Sequence, residues 1–267
     1  GFVRSVGLGA DLVDPLSLVL DSRGIYYDAS MPSDLEFCLE HGEIPSDVLQ
    51  RAEYLRRQLV ALKLSKYNVG TQRKLELPAG RRIILVPGQV ETDASIQTGS
   101  PQLRTNLELL QAVRNSCPEA FIIYKPHPDV VSGARIGGLA GDDFYDLEVR
   151  DVAMPELLEQ VDEVHTLTSL TGFEALLRGI PVVTWGLPFY AGWGLTQDRL
   201  TCPRRTRKRS LDELVAATLI LYPTYVDPDT GDHINAETAV ELLRRSKESQ
   251  QMLPLRSHVW RLLRKPV

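Results

Sequence analysis

The 267 residues are 43% hydrophobic and 24% charged, with a net charge of −5. This excludes a disordered chain and gives no global drive toward nucleic acid. No apolar run approaches the ~20 residues that span a bilayer, and no signal-peptide pattern opens the chain. Three widely spaced cysteines, Cys38, Cys117 and Cys202, form neither a disulfide framework nor a Cys-x-x-Cys zinc site, in keeping with a reducing cytoplasm. The chain opens Gly1-Phe2-Val3-Arg4 without a Met, as a segment cut from a longer polypeptide does.

Residues 1–30 are rich in glycine and turn formers, with short β-like runs over 16–20 and 25–27. Val48, Ala52, Leu55, Leu59 and Leu62 recur every three or four positions, which predicts an amphipathic helix between Pro45 and Lys63. Pro78-Ala79-Gly80 then breaks the pattern and marks a hinge. Beyond it, the continuous apolar runs over 83–86 and 121–124 predict buried parallel strands. Leu103, Leu107, Leu110 and Val113 mark a helix face between them, and residues 132–143 are irregular and rich in Gly and Asp. A helix over 154–160 precedes a β-α-β unit over 164–185, in which Gly179 and Pro181 stop the helix. Ser210-Leu-Asp-Glu caps a helix reaching Leu221, and 235–246 form another. Such alternation predicts the α/β class: a doubly wound parallel sheet covered on both faces, with ligands at the C-terminal strand ends.

Three strand-end loops carry the candidate chemistry: 87–95 with Asp93, Lys125-Pro126-His127-Pro128, and the helix start at Thr168, Ser169, Thr171 and Gly172. Hydroxyls and free N–H groups at a helix start suit a phosphate. Thr171-x-x-Glu174 also reads as an ordinary capping box, and for that stretch alone the capping reading stands ahead. A lone Asp in a loop is commonly a turn former. Proline on both sides of His127 removes backbone donors and stiffens the loop, which favours a functional imidazole. In a doubly wound sheet all three loops open onto one crevice, an arrangement suited to a phosphorylated or nucleotide-activated substrate.

Longer motifs carry a family resemblance. They include Gly-Phe-Val-Arg-Ser at Gly1, Val-Pro-Gly-Gln-Val-Glu-x-Asp-Ala-Ser-Ile at Val86 and Tyr-Lys-Pro-His-Pro-Asp-Val at Tyr124. Further matches are His-Thr-x-Thr-Ser-Leu-x-Gly-Phe-Glu-Ala-Leu at His165 and Gly-Leu-Pro-Phe-Tyr-Ala-Gly-Trp-Gly-Leu-Thr at Gly186. From Gly1 to about Tyr225 the chain resembles the bacterial capsular polysaccharide β-Kdo transferases of KpsC type, in which two homologous modules sit in tandem. The wording at Val86 is closer to the C-terminal module.

The resemblance implies a retaining glycosyltransferase of GT-B architecture. Residues 1–80 would be a partial acceptor-side domain, 81–228 the domain binding CMP-Kdo, and 229–267 a C-terminal helix and basic tail. The donor would be CMP-β-Kdo and the acceptor a β-Kdo linker on lysophosphatidylglycerol, with the β-(2→7) linkage made by the C-terminal type of module and β-(2→4) by its partner. Asp93 matches the family's nucleophile for double displacement, and a carboxylate there suits an oxocarbenium-like state. His127 would hydrogen-bond or protonate the departing phosphate, with Lys125 as its positive neighbour. Thr168 and Ser169, with Thr171, would bind that phosphate, and Glu174 the ribose hydroxyls. Arg4, Tyr27, Asp28, Lys66 and Tyr67 match positions on the other domain. Arg4 suits the Kdo carboxylate, against an equally weighted ion pair with Asp28 or Asp21. No further cofactor and no metal are expected, since metal-ligand spacing is lacking.

The family module extends upstream of Gly1 through a β-α segment and an acidic pair that this chain lacks. A general base located there would be missing, and turnover by the chain alone is then in question. Residues 204–209 hold five cations, read as a solvated face ahead of an anionic-lipid site. Arg256, Trp260, Arg261, Leu262, Leu263, Arg264 and Lys265 read as an interfacial segment that rests on an anionic membrane without crossing it; with the resemblance, this implies residence at the cytoplasmic surface of the inner membrane. The loop 188–194 is expected to pack between domains. A nucleotide-sugar epimerase and a non-catalytic CMP- or glycan-binding fragment are the competing functions.

Overall fold

The computed structural model describes residues 2–3, 15–66, 68–131 and 142–252. The expectations for Arg4, Tyr67, most of 132–143 and the basic tail lie outside the described residues. Six strands form a wholly parallel sheet: β2 (Ile83–Pro87), β3 (Phe121–Lys125), β4 (Leu147–Glu148), β5 (Glu163–Thr166), β6 (Val182–Thr184) and β7 (Gln197–Asp198). Their spatial order is β4-β3-β2-β5-β6-β7. Side chains alternate across a strand, so Ile83 and Leu85 enter the core on one face and Ile84 and Val86 on the other. Burial on both faces is why β2 reads as an unbroken apolar run. Leu109, Leu110 and Val113 of α4 (Asn106–Ser116) cover one face. The other packs on Leu157 and Leu158 of α6 (Met154–Leu158) and on Phe173 and Leu176 of α7 (Leu170–Leu177). Leu103 falls before α4, whose start is fixed by a Thr105/Glu108 capping box.

The strand order decides where a ligand can sit. From β2 the chain moves outward through β3 to β4, then returns to the other side of β2 and moves outward again through β5, β6 and β7. The reversal falls between β2 and β5, so the loops after those strands diverge and leave a crevice.

The remaining elements build a second lobe against this sheet. β1 (Ser17–Leu18) pairs antiparallel with β8 (Thr224–Val226), which pairs with β9 (His233–Ile234). The helices α1 (Asp34–His41), α2 (Ser46–Ala61) and α9 (Ala236–Met252) join α8 (Leu211–Val215), which continues as a π-helical turn over Ala216–Leu221. The expected periodic helix is α2, burying Ala52, Leu55 and Leu59. Helix α1 was not anticipated; Ser33 caps it by accepting the Glu36 N–H, and Leu35 and Leu39 bury its inner face.

Two expectations need correction. Residues 25–27 form a turn rather than a strand. The Asp21 carboxylate collects the N–H groups of Arg23, Gly24 and Asp34, and Asp28 N–H closes onto the Ile25 carbonyl. The 204–209 run is a solvated face only in part, at Arg207 and Lys208. Arg205 and Arg209 are buried, Arg205 bonding Glu36 and the carbonyls of Pro188 and Ala191, and Arg209 bonding Glu213 and the carbonyls of Leu39 and Gly42. Arg204 adds a second contact to Glu36. Among the described residues no helix is long and apolar enough to cross a membrane.

Candidate active site

A cavity of about 490 Å³ opens at the C-terminal end of the sheet, over the β2/β5 crevice. Asp93, Lys125, His127, Thr168, Ser169, Thr171 and Glu174 all line it from the sheet side. Tyr27 and Lys66 line it from the second lobe. The described residues given a catalytic, donor-binding or acceptor-side role thus reach one cavity, though they are spread from position 27 to 174, whereas Asp28 and Gly172 do not line it. Arg150 and Asp151, which follow β4, line it too; the sequence carried no motif at that pair to flag them.

Backbone contacts tie the first two loops together. Gly88 N–H donates to the Lys125 carbonyl at 2.7 Å. A Cβ on Gly88 would lie 2.7 Å from the Tyr124 hydroxyl and 3.1 Å from Pro126 Cα, so the approach requires glycine. Asp93 stands at the N-terminal boundary of α3 (Ala94–Gly99), and its carboxylate makes no capping bond to that helix. His127 precedes α5 (Pro128–Val131), and its Nδ1 accepts the Asp129 N–H at 3.2 Å. In the neutral ring the proton therefore resides on Nε2, which is the donating nitrogen. Lys125 Nζ donates to the Arg150 carbonyl at 3.0 Å, and burial lowers its pKa, with Asp151 opposing.

The third loop differs from its expected form. Ser169 is the N-cap of α7 and its Oγ accepts the Thr171 N–H, so Thr171 is already inside the helix. The Thr171-x-x-Glu174 capping box is therefore not formed, because the cap lies two residues earlier. Glu174 is buried, and its Oε1 accepts the Lys66 N–H of the second lobe at 2.8 Å. Burial raises its pKa, and the Lys66 N–H, Arg178 and the Lys66 charge pull the other way. Thr168 N–H is engaged by Gln89 Oε1 and Ser169 N–H by Thr166 Oγ1. Tyr190, fully buried, donates its hydroxyl to the Ser169 carbonyl at 2.5 Å. Phe189 packs among Phe2, Tyr26 and Phe173, joining the two lobes beside the cavity. Among the described residues no group of three or more His, Cys, Asp or Glu side chains is placed to hold a metal.

Residues 1–226 match the family described as capsule polysaccharide biosynthesis protein. The chain belongs to that family. It is 53% identical, over 254 residues, to the capsule polysaccharide modification protein LipA of Neisseria meningitidis serogroup A, covering 94% of this chain and 36% of LipA. It is 45% identical, also over 254 residues, to the lipopolysaccharide-processing protein LpsZ of Rhizobium meliloti, covering 92% of this chain and 58% of LpsZ. The chain therefore spans about a third of LipA and little more than half of LpsZ.

Two solved structures of KpsC from Thermosulfurimonas dismutans share the fold. The β-Kdo 2,4 transferase superposes with a TM-score of 0.85 at 37% identity, covering 91% of this chain and 77% of that one. The β-Kdo 2,7 transferase gives 0.78 at 44% identity, covering 92% and 75%. The family and the α/β fold expected from the motifs are borne out, and the KpsC similarity indicates a glycosyltransferase.

Proposed function

We propose that this chain is the transferase module of a capsule-building protein and moves β-Kdo from CMP-β-Kdo to a Kdo-terminated glycolipid with retention of configuration. The observation that carries this reading is the convergence of Asp93, His127 and the Ser169 turn on one cavity at the sheet's switch point. The Asp93 carboxylate attacks the anomeric carbon from the face opposite the phosphate. The bond from that carbon to the phosphate oxygen breaks and CMP departs, leaving Kdo joined to Asp93 as an ester. An acceptor hydroxyl then attacks the same carbon, its proton passes to a base, and the aspartate leaves; two inversions restore the starting configuration.

His127 Nε2–H donates to the phosphate oxygen that gains charge, and Lys125 adds a positive charge beside it. The Thr168 and Ser169 hydroxyls and the α7 dipole hold the phosphate, while Glu174 receives the ribose hydroxyls. Arg4 is assigned to the Kdo carboxylate, and Tyr27 and Lys66 to the acceptor side. The β-(2→7) linkage is favoured by the higher identity to the 2,7 enzyme, although the backbone superposes better on the 2,4 enzyme. The anionic lipid acceptor accords with residence on the inner-membrane surface beside a second module.

Incubation with CMP-β-Kdo and a β-Kdo-terminated glycolipid tests the reading. The wild-type chain lengthens the lipid and Asp93→Asn does not. Free product without lipid lengthening supports an epimerase instead, and CMP binding with no turnover supports a binding fragment. His127→Ala lowers kcat by about 10²-fold or more and changes CMP affinity only a few-fold; a full-rate variant removes His127 from the chemistry.

A further inference from the structure

We infer that Gln89 is a positioning residue. It sets the distance between the loop that carries Asp93 and the turn that holds the donor phosphate, and it aims the Thr168 hydroxyl. The inference rests on the catalytic reading above. Gln89 is 7% exposed, and both heteroatoms of its carboxamide bond across the β2/β5 crevice. Its Oε1 accepts the Thr168 N–H at 3.0 Å and the Thr166 hydroxyl at 3.3 Å, and its Nε2 donates to Thr168 Oγ1 at 3.0 Å. The Thr168 N–H can face only an acceptor, so the orientation of the amide is dictated rather than free to flip.

The residue's backbone is held as tightly. Asn106, 4% exposed at the start of α4, accepts the Gln89 N–H at 2.8 Å and donates Nδ2 to the Gln89 carbonyl at 2.9 Å. Glu91 Oε1 in turn accepts the Asn106 N–H at 2.9 Å. One end of the 89–93 loop is thereby anchored to a helix, and Gln89 reaches from that anchor to the opposite loop.

Chemistry gives this strut its task. In-line displacement needs the nucleophile on one side of the anomeric carbon and the phosphate on the other, and here those groups come from different strands. A fixed span between the loops supplies that geometry before substrate arrives. The Nε2–H bond also uses a lone pair of Thr168 Oγ1, so the hydroxyl hydrogen remains to be donated to an incoming phosphate.

The test uses the full chain with Gln89→Met, which keeps volume only, and Gln89→Glu, which keeps the acceptor for Thr168 N–H but makes Thr168 turn its hydroxyl hydrogen inward. At saturating donor, kcat falls in the order wild type, Gln89→Glu, Gln89→Met, the last by about 10²-fold. CMP affinity stays within about tenfold and Tm within a few degrees. Proportionate loss of kcat, CMP affinity and Tm overturns the inference, because a merely structural residue behaves that way; so does wild-type kcat in Gln89→Met. If Gln89→Met does not fold, Gln89→Glu decides by the same split. Asp93→Asn is run in parallel. Dead Asp93→Asn with full-rate Gln89→Met rejects the positioning role alone, whereas full-rate Asp93→Asn rejects the catalytic reading and this inference with it.

Discussion

In the proposed reading one side chain, Glu174, sets stability against function. Its folded pKa is raised above 4.5, chiefly by burial. A carboxyl with a raised folded pKa contributes stability below its unfolded pKa, and that contribution is lost as pH rises through the folded value. Glu174→Gln keeps an oxygen for the Lys66 N–H and removes the buried charge. The variant therefore has a higher Tm at neutral pH, a gain that vanishes as pH falls below 4.5, while its CMP affinity drops. Melting curves across pH with calorimetric CMP titration check this; a neutral-pH Tm at or below wild type contradicts it. The sequence exposed Glu174 as notable and misassigned its partner. A carboxylate three residues after a threonine has the spacing of a cap, whereas its actual donor, Lys66, lies 108 positions away, beyond any local rule.

At the scale of elements, α7 and the 188–193 loop act as one unit. A Cβ on Gly172 would lie 2.2 Å from the Tyr190 hydroxyl and 2.7 Å from the ring carbon bearing it. Gly172→Ala therefore costs at least about 1–3 kcal/mol by overpacking and displaces the Ser169 turn, so Tm and CMP affinity fall together. Adding Tyr190→Phe does not rescue it, since the ring itself is in the way. Unchanged CMP affinity in Gly172→Ala shows the turn to be independent of Tyr190.

The loop's far side is clamped by Arg205, whose guanidinium joins Glu36 of α1 to the Pro188 and Ala191 carbonyls. Glu36→Ala leaves Arg205 buried without its counter-ion and destabilises by about 3 kcal/mol. The result is a lower urea midpoint at an unchanged m-value; an unmoved midpoint denies the clamp its weight. Continuous apolar runs revealed β2, β3 and β5, which are buried on both faces, and helical periodicity revealed α2 and α4. A run of arginines has no such period, and with α1 unrecognised its acidic partner could not be seen.

For the molecule as a whole, topology does what no motif states. Alternating strands and helices were legible as α/β, and the loops after β2, β3 and β5 were legible as candidates. Their meeting follows from the chain moving outward in both directions from the β2/β5 boundary. The second lobe lines the cavity through Tyr27 and Lys66 and is tied to α7 by the Glu174 bond, while within the lobe β1 pairs with β8. That long-range pairing joins Ser17 to Tyr225, and two-residue strands leave almost no alternation for a sequence reading to find. The central claim is that Asp93 carries the sugar between donor and acceptor. Mass spectrometry after incubation with CMP-β-Kdo in the absence of acceptor tests it most directly. The account predicts a Kdo ester mapping to Asp93 that is absent from Asp93→Asn and discharged by adding the glycolipid. An adduct on another residue, or none on a preparation that transfers Kdo, contradicts it.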